Sequence, residues 1–132
     1  MAAYYEIKRT FEGSYYFELR TAAARYLLRG GERTTLALCR RGIGSMRVIC
    51  DSAVEDEGGL LGEPTERLGY PKFVISKRGR GVYTVALWAR NGKKLAESPD
   101  CPTVESARNL ILVVQRSARH APVRDEIGGI PQ

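Results

Sequence analysis

Along residues 4–20 apolar and polar side chains alternate. Tyr5 and Ile7, then Tyr15, Phe17 and Leu19, are interleaved with Glu6, Lys8, Tyr16, Glu18 and Arg20. A period of two places the first set on one face of a sheet. Between the two runs lies Thr10-Phe11-Glu12-Gly13, whose glycine supplies the positive φ that tight hairpins need. The alternation returns with Phe73, Ile75, Tyr83, Val85 and Leu87 around the turn Arg78-Gly79-Arg80-Gly81. Arg90-Asn91-Gly92-Lys93 then predicts a hairpin closed by a two-residue type I′ loop. Its counterpart Ala22-Ala23-Ala24 lacks that chemistry, so a distorted or longer turn is expected there. Short third strands are expected around residues 25–29 and 93–97.

The period then changes. Thr35 and Thr103 are candidate N-caps, whose hydroxyls accept from the free N–H groups of a first helical turn. Pro102 precedes the second cap and Ser106 stands three residues after it. Beyond Thr35, Leu36, Cys39, Ile43, Met46, Cys50 and Ala53 fall on one helical face. Beyond Thr103 the stripe is Val104, Ala107, Leu110, Ile111, Val114 and Ala118. Each helix is expected to run about 16 residues, roughly 24 Å.

The two stretches are one pattern written twice. Residues 4–51 align without a gap on residues 72–119. Ile7 meets Ile75, Gly13 meets Gly81, Tyr15 meets Tyr83 and Leu19 meets Leu87. Leu27 meets Leu95, Thr35 meets Thr103, Arg40 meets Arg108 and Ile43 meets Ile111. These matches share one hydrophobic phase, as a common core requires. The expectation is an α+β fold of two tandem βββα repeats, with pseudo-two-fold symmetry, an antiparallel sheet and both helices on one side. Residues 1–54 form the first repeat and 72–121 the second. Residues 55–71, with Glu55-Asp56-Glu57, two glycines and Pro64 and Pro71, read as a linker, and 122–132 as a flexible tail. Three strands and a helix are marginal alone, so the copies should pack against each other.

Composition adds bounds. A chain of 132 residues, 43% hydrophobic and 27% charged, is ordinary for a globular protein. No apolar run reaches the roughly 18 residues of a membrane span, and residues 1–13 lack a secretory signal's pattern. Cys39 and Cys50, about 16 Å apart on one helix, are beyond disulfide reach. Reduced thiols in a cytoplasmic protein, with no membrane association, are the simplest expectation. Charge is uneven. Residues 1–66 hold nine Lys/Arg and ten Asp/Glu, a net of −1, while residues 67–132 hold twelve and five, a net of +7. A basic half is compatible with nucleic acid, anionic lipid or an acidic protein as partner, and equally with a mildly basic protein that binds none of these, since charge speaks to association and not to fold.

At this point the chain resembles the YegP-like family, bacterial proteins of one or two short repeats with unknown function. Residues 72–77, 81–88 and Ala89-Arg90-Asn91-Gly92 match the family's strand and turn portion, and Gly42-Ile43-Gly44-Ser45-Met46-Arg47 its helix portion. Two departures stand out. The first copy lacks Asn-Gly, and the second helix has Leu110-Ile111-Leu112-Val113 where Gly-Ile-x-Ser is the pattern. The resemblance implies the duplicated βββα fold and a compact, self-associating unit. It carries no catalytic residues.

The residues themselves point away from catalysis. His120 is the only histidine and sits at a helix end, where the dipole favours it. Cys39, Cys50 and Cys101 lack zinc-site spacing. Arg78-Gly79-Arg80-Gly81 is too short for a phosphate loop and leads into a strand. Glu55-Asp56-Glu57 reads as a solvated linker sooner than a cation site. No enzyme activity, metal or cofactor is expected. The remaining candidate surface is basic and apolar: Lys77, Arg78 and Arg80 at one turn, Lys93 and Lys94 at the next, with Trp88, Leu112 and Val113 outside the core phase. The turns belong at opposite ends of the sheet, which weakens a nucleic-acid reading. Trp88, Leu112 and Val113 replace Arg20, Gly44 and Ser45 of the first copy. Apolar residues gathered this way suggest cover by the tail or by a second copy in a homodimer. The expected function is a non-enzymatic interaction module that self-associates, with weak electrostatic nucleic-acid binding as the alternative.

Overall fold

The computed structural model describes residues 3–23, 25–57 and 68–125. The chain folds as mixed α+β, with an eight-stranded sheet and two helices. The first set of elements is β1 (Tyr4–Arg9), β2 (Tyr15–Arg20), β3 (Tyr26–Gly30) and α1 (Leu36–Ile49), followed by β4 (Val54–Asp56). The second is β5 (Lys72–Gly79), β6 (Val82–Trp88), β7 (Lys94–Glu97) and α2 (Val104–Ser117), followed by β8 (Val123–Asp125). Strand order across the sheet is β4-β5-β6-β7-β3-β2-β1-β8.

The sheet is not antiparallel throughout, as the repeat pattern suggested. The inner pairs are antiparallel, but the two edge pairs, β4–β5 and β1–β8, are parallel. The reason is connectivity. The strand that follows each helix pairs with the first strand of the other set: Val54 lies opposite Phe73, and Val123 opposite Tyr5. Glu55 and Asp56, expected to open the linker, therefore lie inside β4, and Val123–Asp125 of the expected tail forms β8. Residues 58–67 of that linker and 126–132 of that tail, including Ile127 and Ile130, lie outside the described residues.

The core forms where the period-two face meets the helical stripes. Tyr5, Ile7, Leu19, Phe73, Ile75 and Leu87 are buried in one cluster with Ile43, Met46, Ile111 and Val114. Both helices thus cover the same face of the sheet. Tyr15 and Tyr83, expected in that core, are only half-buried and pack on its margin. The helices are slightly shorter than expected, 14 residues each. The Thr35 hydroxyl accepts from Leu38 N–H at 3.1 Å. Thr103 accepts from Ser106 N–H at 3.0 Å while the Ser106 hydroxyl accepts from Thr103 N–H, a full capping box.

Turn chemistry departs from expectation in a consistent way. Ala89 N–H donates to Lys93 O and Gly92 N–H to Ala89 O, with Gly92 alone at positive φ. That is a three-residue loop with glycine at its end, not the two-residue type I′ turn. Thr10, Gly13 and Ser14 close the same way. After β2, Thr21 N–H donates to Arg25 O at 2.9 Å, as Ala89 N–H does to Lys93 O after β6, so the two hairpins close at aligned positions; Ala24 lies outside the described residues.

Across the middle, β3 and β7 pair through only Arg29–Glu97 and Gly30–Ala96. The rest of the joint is helical and edge contact. Tyr5 OH donates to Ala118 O at 2.6 Å, Arg47 to Ala121 O at 2.6 Å, and Gln115 to Ser52 O at 3.1 Å.

Candidate functional site

The face of the sheet away from the helices carries the other phase of every strand, and its two ends differ. On β1–β3, Glu6 and Glu18 are direct cross-strand neighbours and both are buried. Like charges opposite each other are unfavourable unless cations bridge them. Lys8 lies 3.2 Å from Glu6, and Arg20 contacts both carboxylates, at 3.4 Å from Glu6 and 2.6 Å from Glu18. Arg29 reaches the second Glu18 oxygen at 2.8 Å through Nε and stacks over the rings of Tyr16 and Tyr26. Burial alone would raise the Glu18 carboxyl, but the bonds from Arg29 and Arg20 outweigh it and hold it below the usual carboxylate range. This end is closed and saturated.

On β5–β7 the same face is hollow. Val74 and Ala86 make an apolar floor at the positions that align with Glu6 and Glu18. Trp88 is half-buried beside them, and Tyr70, just before β5, sets its ring 6.2 Å from the indole. The Lys72 ammonium is tied to Glu55 and to Leu68 O, each at 3.0 Å, and lies 4.9 Å from the Tyr70 ring. Glu55 also accepts from Leu68 N–H at 2.6 Å, so β4 holds the 68–71 segment against this end of the sheet. Arg78 donates to Thr84, and Lys94 pairs with Glu97 at 2.5 Å. The result is a basin of about 230 Å³ with an aromatic wall and a rim of both charge signs.

The structure separates the residues that the sequence grouped. Arg78 and Lys94 rim the basin with Trp88. Trp88 is covered in part by Tyr70, a neighbour within the chain. Lys77 and Arg80 are exposed at the β5–β6 turn, away from Lys93 at the β6–β7 turn. Leu112 and Val113 are exposed on α2, across the sheet from Trp88, so one surface does not contain all three. Glu55 and Asp56 lie in β4 with Asp56 buried, while Glu57 follows it exposed, and no cluster of metal-ligating side chains occurs among the described residues. His120 is exposed. All three cysteines are buried thiols, and burial pushes the Cys101 thiol up, away from the thiolate a nucleophile needs.

A second concavity, which takes in Lys93 and Lys94, lies on the helix side of the sheet. Between α1 and the β6–β7 turn run two adjoining hollows of about 170 and 340 Å³, which share Ser45, Ala89 and Asn91. Arg33 and Arg41 join Lys93 and Arg90 around them. The signal was present: residues 33–50 and 67–96 contain no Asp or Glu at all. A split of charge at mid-chain cannot reveal two acid-free stretches, one in each half.

No family model matches the chain, and no curated protein matches it. Among solved structures, it is similar to the solution NMR structure of yegP from E. coli, a protein of unknown function. That likeness has a TM-score of 0.73 at 17% identity, over 96% of this chain and 94% of that one. The solution NMR structure of a UPF0339 protein from Shewanella oneidensis gives a TM-score of 0.75 at 14% identity, over 100% of both chains. At such identities the likeness is one of fold.

Proposed function

We propose that the chain is a YegP-like duplication of a βββα unit with pseudo-two-fold symmetry, working in the cytoplasm as a non-enzymatic binding module. The duplication is supported by contacts that recur 68 residues apart, such as the bridges Tyr15–Arg33 and Tyr83–Cys101. The observation that carries the binding reading is the open basin at Trp88, on the same sheet face that the first unit fills with ion pairs. Its lining holds no histidine or cysteine, and its cations are matched by Glu55, Glu57 and Glu97 nearby. Such a surface suits an apolar or aromatic side chain of a protein partner better than a polyphosphate.

A pull-down with wild-type and Trp88→Ser baits, with and without nuclease, tests this. The expected result is protein capture that Trp88→Ser abolishes and nuclease leaves intact. Capture that nuclease removes would replace it with the nucleic-acid alternative through Lys77, Arg78, Arg80, Lys93 and Lys94. Self-association is a second reading, favoured by Leu112 and Val113, each 41% exposed on α2. A sedimentation mass fixed at 14.7 kDa at every concentration would remove it.

A further inference from the structure

We propose that the groove between α1 and the β6–β7 turn binds an extended, acidic segment of a partner protein that carries apolar side chains. The groove lies on the helix side of the sheet and stands independently of the Trp88 basin. Leu38, Arg41, Ser45 and Val48 follow at intervals of three and four, so they form one stripe along α1 beside its core stripe. Opposite them the hairpin loop presents Arg90, Asn91 and Lys93, with Ala89 between the two walls. Ser45, which lines both hollows, is small and exposed, so an occupant can approach the helix there.

Charge selects the occupant. Arg33, Arg41, Arg90 and Lys93 converge on the groove with Lys94, which is paired with Glu97 just beyond it, and no carboxylate lines the groove itself among the described residues. Of these four, Arg33 donates to the backbone carbonyl of Glu32, and none is in an ion pair among the described residues. On the other face each cation of the Glu6–Glu18 lattice has its acid. Here four cations are gathered with no carboxylate paired to them among the described residues, beside one, Lys94, that Glu97 matches, and the surplus creates a local positive potential that draws an anionic ligand. The hollow beside Ala22, Ala23 and Val113 of α2, which aligns with the one beside Ser45, Arg90 and Asn91, is lined by no charged side chain among the described residues. Arg90 therefore has no charged equivalent there, since Ala22 stands at the aligned position.

Two features favour an acidic peptide over nucleic acid. Among the described residues no aromatic ring lines the groove, so bases would find nothing to stack on. Leu38 and Val48, 38% and 63% exposed, sit at its two ends and offer apolar contact that a phosphate backbone cannot use. From Leu38 to Val48 the helix rises about 15 Å, a length that about five extended residues span. The fitting ligand is a short strand that alternates carboxylate and aliphatic side chains.

The test is an NMR titration of the full-length ¹⁵N-labelled chain with an alternating Glu/Leu hexapeptide. Parallel arms use hexaglutamate and a single-stranded oligothymidine six nucleotides long. The Glu/Leu peptide should shift the amides of Leu38, Arg41, Ser45, Asn91 and Lys93, and bind at least tenfold tighter than hexaglutamate. Arg41→Glu with Lys93→Glu, both at exposed positions, should weaken it at least tenfold, whereas Val113→Ser at the uncharged groove should not. Equal binding of hexaglutamate overturns the apolar part of the proposal. Oligothymidine binding as tightly through the same amides overturns it in favour of phosphate recognition, and absence of shifts in this groove overturns it outright.

Discussion

Glu18 and Ala86 occupy aligned positions in β2 and β6, and they are the centres of two unlike surfaces. Each has the same ladder neighbour one strand over: Glu18 faces Arg29, and Ala86 faces Glu97. With Glu18 come Glu6, Arg20 and Arg29, and the face closes as a lattice with a buried carboxylate at its middle. With Ala86 come Val74, Trp88 and Glu97, and the face stays open. The backbone register is common to both, so closure is decided by side-chain volume and charge in three cross-strand rows. The price of the closed design is dependence on every member, because a buried ion that loses its partner is left uncompensated.

Breaking the lattice is the largest effect expected. Glu18→Ala should cost about 3–5 kcal/mol, measured by urea unfolding, because Arg20 and Arg29 lose the carboxylate that holds them. The sharper version rebuilds the lattice at the open end. Ala86→Glu alone places a buried carboxylate beside Glu97 and should destabilise. Adding Trp88→Arg and Glu97→Arg should recover most of that loss and fill the basin. If the triple variant is no better than the single one, the ladder neighbours do not explain the difference.

The same carboxylate sets a pH dependence. Its pKa is lowered on folding, so the folded chain binds fewer protons there than the unfolded chain. Its contribution is full above the unfolded value of about 4.3 and is lost as pH falls through the lower folded value. Stability measured from pH 6 down to 2 should fall less steeply in Glu18→Gln than in the wild type.

A smaller contrast lies inside the core. A Cβ on Gly30 would overlap the Phe17 ring, and one on Gly42 would stand 3.1 Å from it. In the aligned set Val85 replaces Phe17, and Ser98 and Leu110 stand where Gly30 and Gly42 do. There the Ser98 hydroxyl accepts from Val85 N–H at 2.8 Å. The large ring needs two glycines, and the small side chain admits larger neighbours. Gly30→Ala should cost about 1–3 kcal/mol through overpacking. In a Phe17→Val background that cost should vanish, a coupling that a double-mutant cycle reads directly. The smallest effect is at Gly44, where a Cβ meets nothing. Gly44→Ala should raise stability by about 0.5–1 kcal/mol in thermal melts, since alanine loses less entropy in a helix.

The Phe17 contrast also explains one departure of α2 from the Gly-Ile-x-Ser pattern of α1, Leu110 in place of Gly42. Leu110 is half-buried against the core because Val85 leaves it room. Leu112 and Val113 have no such neighbour and are exposed. Nothing in the structure accounts for their apolar character.

The strand phases, both helix starts and most of the core were legible in the chain because they depend on neighbours within a few residues. Period two placed Ile7, Leu19, Ile75 and Leu87 inward, and a threonine hydroxyl three residues from its target marked each helix start. The edge strands were not legible. Val54–Asp56 and Val123–Asp125 are three residues each, too short to show a period, and they read as linker and tail. They become strands only because the first strand of the other set offers unpaired backbone groups beside them. The candidate surfaces divide the same way. Trp88 announced itself by breaking its strand's polar phase, but that Tyr70 would cover part of it depended on how Glu55 and Lys72 hold the preceding segment. The basic groove joins Arg41 to Lys93, about fifty positions apart, and such a pairing is created only when α1 is laid against the β6–β7 turn.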